Sequence, residues 1–248
     1  MFLCKIKDFE INFSAEKEIL EFIESLIKQN KVCQIVTLNL LIYLQSKKDK
    51  EIYNAIKDAT LVLPDSLGIK LFGSFVCGKF LKRFAGIDLI YKLCDLSKEK
   101  GYKIYLLGSK NTVVQKTCEI MKQKFGANVV GYHSGYFDDR EEDNIINNIN
   151  SAGADIVFVG LSVEKQEKWI YKNLYKIKTK IIIGVGGSFD IISGVLRRAP
   201  KIFINLGLEW FFRLIQEPWR VFRILKLPLA VMIILFDILF YKREYKKI

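Results

Sequence analysis

The 248-residue chain has one histidine, His133, and four prolines. A histidine without His or Cys companions at ligand spacing argues against a metal centre and reads as a loop or structural residue. Five cysteines (Cys4, Cys33, Cys77, Cys94, Cys118) form no CxxC pair. Their odd number and spacing disfavour a zinc site or a disulfide framework, and predict buried or free thiols in a reducing cytosol. No Asp-x-Asp pair is present of the type that grips a divalent ion beneath a nucleoside diphosphate. The start, MFLCKIKDFEINF, is broken by charge every few residues and cannot serve as a signal-peptide core. The catalytic part is therefore expected on the cytoplasmic side. Internal repeats and low-complexity linkers are also missing.

Acidic residues are the scarcer sign: 27 Asp and Glu stand against 39 Lys and Arg, for a net charge of +12. Half the residues are hydrophobic, so general disorder is excluded and a sizeable core can be buried. The positive balance favours an anionic partner: nucleic acid, a membrane surface or a phosphorylated substrate. The excess is uneven, with eleven basic residues against four acidic ones from Arg197 onward.

Along the chain, CQIVTL (33–38) reads as a strand, followed by helical spacing through Leu41, Leu44 and Ile52. Thr60–Leu63 is a strand stopped by Pro64-Asp65, with a helix starting near Ser66 or Leu67. Ile87–Lys100 is a helix ended by Gly101. Strands at 103–109, 128–132, 155–162 and 180–187 then alternate with helices at 113–125, 141–152 and 165–177. This alternation predicts a Rossmann-like α/β fold, a parallel sheet flanked by helices. Ligands in such sheets bind beyond the strands' carboxyl ends. That rule selects Thr37-Leu-Asn39, Pro64-Asp65, Gly108-Ser109, Gly160-Leu-Ser162 and Gly184-Val-Gly186-Gly187. The simplest division is an α/β catalytic domain, 1–194, and a basic, aromatic, membrane-binding appendage, 195–248.

Within the appendage, Arg213, Arg220 and Arg223 are seven and three residues apart, which puts them on one helical face, although Pro218 can bend or restart that helix. Trp210, Phe211, Phe212, Trp219 and Phe222 supply aromatics of the kind that settle at headgroup level. Leu227–Tyr241 is strongly apolar, but as a helix it spans roughly 22 Å against about 30 Å for a bilayer core. It also holds Pro228 and Asp237. A segment lying in the membrane interface is expected; the alternative is a core helix packed on the sheet.

Two phosphate signatures fail. Gly73-Ser-Phe-Val-Cys-Gly78-Lys79 has Walker-A spacing, but Phe80 replaces the magnesium-binding hydroxyl. Gly184-Val-Gly186-Gly-Ser-Phe189 lacks the third glycine of the dinucleotide fingerprint, which weighs against the rival reading, a NAD-linked oxidoreductase. A nucleic-acid-binding protein would explain the charge, but the basic residues cluster beside a greasy tail instead of among spread aromatics. What survives is a sugar-nucleotide logic: glycines admit a diphosphate to backbone N–H groups, and arginines neutralise the leaving diphosphate. Asp65 is either a general base for an acceptor hydroxyl or the N-cap of the next helix. For Thr37 and Asn39 the structural alternative is strand-end hydrogen bonding, and for Gln166 helix capping.

Thr37-Leu-Asn39, Pro64-Asp65-Ser-Leu-Gly68, Arg83-Phe-Ala-Gly86-Ile-Asp88, Tyr105-Leu-Leu-Gly108 and Lys165-Gln166-Glu167 occur in this order. They are followed by Gly184–Asp190, Arg198-Ala-Pro200 and Gly207-Leu-Glu-Trp210…Arg213…Glu217-Pro218…Arg220. The set resembles the successive motifs of the WecG/TagA/CpsF glycosyltransferases over about Val32–Arg223. Ser66, where many members have Gly, and Lys82, in a segment often containing proline, depart from the pattern. The resemblance implies transfer of N-acetylmannosamine, its uronic acid or a related hexose from UDP to a polyprenyl-diphosphate-linked sugar. The product would enter wall teichoic acid, enterobacterial common antigen or capsule synthesis.

It further implies Asp65 as general base, with Thr37, Asn39, Arg83 and Gln166 lining the substrate pocket. Gly108, Ser109, Gly160, Gly186, Gly187 and Asp190 would lie near the nucleotide, and Arg213, Arg220 and Arg223 would reach the active site and the membrane. The expected partners are a UDP-sugar, a polyprenyl-diphosphate-linked acceptor and the cytoplasmic membrane surface, with no nucleic acid, no cofactor and no metal; a homo-oligomer is left open.

Overall fold

The structure, a computed structural model, describes residues 2–29, 31–239 and 245–247. Two strands, β1 (Phe2–Ile6) and β2 (Phe9–Asn12), form an antiparallel hairpin turned by Lys7, whose φ is 56°. Helix α1 (Glu16–Lys28) follows, burying Ile19, Ile23, Leu26 and Ile27 as one stripe at helical spacing. The alternating part then runs β3 (Cys33–Leu38), α2 (Leu40–Ser46), α3 (Lys50–Lys57), β4 (Leu61–Pro64), α4 (Leu67–Cys77), α5 (Gly86–Lys100) and β5 (Ile104–Gly108). It continues with α6 (Asn111–Phe125), β6 (Val129–His133), α7 (Glu142–Ala152), β7 (Ile156–Gly160), α8 (Val163–Asn173) and β8 (Ile181–Gly184). Beyond the sheet lie α9 (Ser188–Ile192), α10 (Lys201–Asn205), α11 (Glu209–Gln216), α12 (Val221–Ile224), α13 (Leu227–Leu239) and β9 (Tyr245–Lys247), which pairs with β1.

The main sheet has the order β4-β3-β8-β7-β5-β6, and every pairing is parallel. Its inner strands, such as IVFVG in β7, are buried throughout, as a sheet covered on both faces requires. One apolar layer packs α1, α5 and α6 against one face, and a second packs α7 and α8 against the other. A third cluster joins the hairpin, α2, α3 and α4 at the β4 edge. Gly101, Gly126 and Gly153 end α5, α6 and α7 in the left-handed conformation that spares a Cβ clash.

Three sequence expectations are corrected. The helical spacing through Leu41 to Ile52 belongs to two helices, broken where Asn39 and Asp49 each cap a new start. Cys4 on β1 and Cys77 on the last turn of α4 form a disulfide, so only Cys33, Cys94 and Cys118 are buried free thiols. Seventy-three residues separate that pair, and spacing alone cannot reveal such a meeting. The arginines of the appendage do not share one helix face: α11 ends at Gln216, and Pro218 opens a 3₁₀ turn, Pro218–Arg220, before α12. The rejection of the Walker-like stretch stands: Gly73 sits inside α4 and Gly78 is its left-handed cap, so the stretch is a helix end.

One face of the apolar tail helix α13 takes up the core-helix alternative, packed on helices α2 and α4. Ala230 and Ile234 are fully buried, four residues apart on one face packed towards α2 and α4. One turn further, Asp237 accepts from the Tyr43 hydroxyl at 2.6 Å and pairs with Lys47 at 2.5 Å and Lys7 at 3.5 Å. An acid in an apolar helix is thus compensated by two cations and a phenol. The opposite face of α13 is exposed. Residues 240 and 241, the end of the expected interfacial segment, lie outside the described residues. Among the described residues no helix is long and apolar enough to cross a membrane.

Candidate active site

A cavity of about 2170 Å³ opens along the carboxyl ends of β3, β4, β5, β7 and β8 and is roofed by the segment from Val195 to Met232. Parallel pairing brings these strand ends level, so loops far apart in sequence converge on one side. The cavity is lined by Thr37, Asn39, Asp65, Arg83, Ser109 and Gly160. Gln166, Gly186, Gly187, Asp190, Arg213 and Arg220 line it as well. Of the residues expected at the site, Gly108 is not on the wall. It lies behind it at φ 145°, where a Cβ would strike the Gly160 carbonyl, so its role is close strand packing. The side chain of Arg223 lies outside what the structure describes.

Asp65 is held by the exit of β4. Its N–H donates to the Leu38 carbonyl at 2.9 Å, and its Oδ1 accepts the Gly86 N–H, the first turn of α5, at 2.7 Å. The N-cap of α4 is Ser66, whose Oγ accepts from Ile69 N. Asp65 therefore does not cap the helix that follows it. Burial pushes its carboxyl up to about 6. The Gly86 N–H and the Arg83 charge pull it down, and the Glu209 charge pushes it further up. Such a carboxylate is mostly ionised at neutral pH, yet far more basic than a solvated one.

Arg83 pairs with Glu209, the first residue of α11, through its Nη1. One contact therefore ties the loop beside Asp65 to the roof. Glu209 stands inside the Gly207–Trp210 motif, but its place in the site was not expected. The same holds for Glu217, which receives Arg213 Nε at 3.4 Å and Arg220 Nε at 2.5 Å. The two arginines thus converge on one carboxylate across the helix break, despite having no common helix face. Arg213 also donates from Nη2 to the Gly187 carbonyl at 3.0 Å and lies 3.7 Å from Asp190 Oδ2. A Cβ on Gly187 would collide with that guanidinium, so the absent side chain lets Arg213 approach the loop.

Asp190 is oriented from the other side by Ser109 Oγ, which donates to Oδ1 at 3.1 Å. Ser109 sits at φ 56°. A non-glycine residue held there is strained by about 1 kcal/mol or more. Its N–H donates to the Gly160 carbonyl, which fixes the hydroxyl toward Asp190.

The remaining residues each have a structural partner while lining the cavity. Thr37 Oγ1 donates to the Gly184 carbonyl at 2.9 Å. Asn39 Oδ1 accepts from Leu41 N and Ile42 N as the cap of α2, which leaves its amide NH₂ available to a ligand. Gln166 Oε1 accepts the Gly186 N–H at 2.8 Å, and its Nε2 donates to Glu167 at 2.8 Å. Gln34 Nε2 completes a fully buried triad by donating to the other Glu167 oxygen at 3.0 Å. Burial raises the Glu167 carboxyl above its usual range, against the pull of the two amides. This buried relay pins the Gly184–Gly187 loop from beneath, and it would be invisible to any reading that treats Gln166 alone. Arg198, quoted with its motif, pairs with Asp88 of α5 at 2.6 Å. Among the described residues no three His, Cys, Asp or Glu side chains gather as a metal-holding group.

The site thus combines a parallel α/β sheet, a carboxylate of raised pKa in a strand-exit cleft and arginines in its roof. Residues 4–246 match the Glycosyl transferase WecG/TagA/CpsF family, and the chain belongs to that family of glycosyltransferases. It is 31% identical over 211 residues to the N-acetylglucosaminyldiphosphoundecaprenol N-acetyl-beta-D-mannosaminyltransferase of Bacillus subtilis (strain 168), covering 84% of this chain and 82% of the relative. The protein of the same name from Bacillus spizizenii is 32% identical over 225 residues, covering 89% and 87%. That of Staphylococcus aureus (strain MW2) is 28% identical over 213 residues, covering 86% and 82%.

Proposed function

We propose that this protein moves N-acetylmannosamine, or a closely related hexose derivative, from UDP to a sugar carried on polyprenyl diphosphate, of the N-acetylglucosaminyl-diphosphoundecaprenol type. The reading supposes a peripheral enzyme on the cytoplasmic face of the membrane, serving surface-polymer synthesis. Support comes from the family, from the relatives' named activity, and from the cleft's polar floor and apolar rim of Leu225, Pro228, Val231 and Met232. The single observation that carries the mechanism is Asp65: a cleft carboxylate held near pKa 6, with only one oxygen engaged by Gly86.

The reaction is an inverting single displacement. The acceptor hydroxyl gives its proton to Asp65 as its oxygen attacks the anomeric carbon. The bond from that carbon to the UDP oxygen breaks on the opposite side, and UDP leaves with the electron pair. Arg83 and Arg213, with Arg220, supply positive charge where the diphosphate's charge grows, a contribution that strengthens towards the transition state. In this reading the guanidinium groups take the place of a metal ion. Ser109 and Asp190 hold Arg213 in register, and the Gln34–Glu167–Gln166 relay holds the glycine loop that faces the nucleotide.

The test is incubation of the full chain with a panel of UDP-sugars and a short-chain lipid-diphosphate-linked N-acetylglucosamine, read by mass spectrometry. One UDP-hexosamine should yield a product heavier by a single sugar. Protection against thermal unfolding by NAD but not by UDP, with no product from any sugar nucleotide, would overturn the reading.

A further inference from the structure

The helix that starts next to Asp65 leads outward to a surface that the chemistry leaves unused. α4 is capped by Ser66, lines the cavity with Leu67, Gly68 and Leu71, and buries Ile69, Phe72, Val76 and Cys77 in the core. Its other face is apolar as well. Leu71 is 52% exposed, Phe75 one turn on is 59% exposed, and Phe80 just past the helix end is 84% exposed. Between Ser66 and Phe84 the chain carries Lys70, Lys79, Lys82 and Arg83 and no acidic residue. Lys70 Nζ stands 4.2 Å from the centroid of the Phe80 ring, keeping a cation over the aromatic tip.

The tail helix α13 is docked beside α4 by Ala230, Ile234 and the Asp237 ion cluster, which fixes its rotation. Its outward face, including Met232 and Phe236, continues the apolar surface of α4. We propose that Leu71, Phe75 and Phe80 form a membrane-seating wedge of the catalytic domain itself, joined to the outer face of α13, with Lys70, Lys79 and Lys82 at the level of anionic phospholipid headgroups. The proposal rests on the reading above that the acceptor is lipid-linked.

The occupant follows from charge. A two-fold interface with a second copy would set these lysines against their own counterparts, which is repulsive. An anionic bilayer meets both the rings and the lysines favourably. The consequence is geometric. Phe75 is ten residues from Asp65, or ~15 Å along the helix, so the wedge sets the height of the base above the lipid surface. A tail that only tethered the enzyme would leave that height free.

The experiment uses the full chain and a Phe75→Ser/Phe80→Ser variant, with Phe80→Ser alone as the version whose solvent-exposed change leaves the fold intact. Co-sedimentation is measured with phosphatidylcholine vesicles holding 30% phosphatidylglycerol, on the order of the anionic content of a cell membrane, and with pure phosphatidylcholine. The double variant should bind the anionic vesicles about tenfold more weakly, while turnover on a water-soluble short-chain acceptor stays within about twofold. Lys79→Glu/Lys82→Glu should weaken binding to the anionic vesicles and leave the pure phosphatidylcholine result unchanged. Undiminished binding by the double variant would overturn the wedge. So would wild-type vesicle binding combined with loss of a dimer in analytical ultracentrifugation, which would give the face to a second copy. If the short-chain acceptor is not glycosylated even by the wild type, the transferase reading fails, and the vesicle comparison still decides the wedge.

Discussion

The opposing charges of Arg83 and Glu209, which both act on Asp65, make the pH dependence of kcat/KM a sensitive test of the site. With the carboxyl near 6, about nine-tenths of the enzyme carries the free base at pH 7 and about one-tenth at pH 5. kcat/KM should therefore fall about tenfold between those values, with a slope of one on the acid limb. A solvated aspartate near 3.9 would show almost no loss over the same range. Two variants then move the limb in opposite directions. Glu209→Gln removes a charge that pushes the carboxyl up, so the limb shifts to lower pH. Arg83→Gln removes a charge that pulls it down, so the limb shifts to higher pH, whatever else it costs in binding. The assay is initial-rate UDP release with a soluble acceptor from pH 4.5 to 8.5. A flat profile, or two limbs that shift the same way, would refute the electrostatic account of the site.

Two further outcomes are specific to the roof and the tail. Gly187→Ala keeps an ordinary backbone (φ −85°) but drives a methyl into the Arg213 guanidinium; turnover should drop by about tenfold with the melting temperature nearly unchanged, and an unaffected rate would show that Arg213 has no need of that loop. Asp237→Asn should cost about 1–2 kcal/mol, or some 3–6 °C in melting temperature at pH 7. Burial acts to raise the Asp237 carboxyl, but Lys47, Tyr43 and Lys7 outweigh it and hold it below its usual range. Its contribution is therefore present above the unfolded value near 4 and lost as pH falls through the lower folded one. The gap between variant and wild type should narrow progressively as pH falls below about 4 in thermal melts; a gap unchanged by acid would contradict the ion cluster.

Much of the sheet was legible because β5, β7 and β8 are short apolar runs ending in glycine, β4 stops at Pro64-Asp65, and α4 to α7 each stop at a glycine. The first layer of the cleft followed from the strand-exit rule alone, which selected Thr37, Asp65, Ser109 and Gly187 before any contact was known. The hairpin of β1 and β2 was not legible: lysine and aspartate interrupt it, and its apolar residues only make sense once α4 and α13 are seen packed against them. Pairing was hidden as well. Glu209 and Arg83 are 126 residues apart, and one sequence carries no signal that two such charges meet. Arg213 and Arg220 reached a common place by a break in the helix at Pro218, where helical spacing expected a continuous face. Asp237 looked like a flaw in an apolar segment until Tyr43 and Lys47 appeared opposite it.

The most direct measurement is single-turnover transfer by Asp65→Asn, alongside UDP binding by calorimetry. The amide keeps the shape and cannot accept a proton, so transfer should fall by roughly 10²–10⁴-fold while UDP affinity stays within about twofold. Transfer within a few-fold of wild type would place the base elsewhere and undo the assignment of this cleft's chemistry.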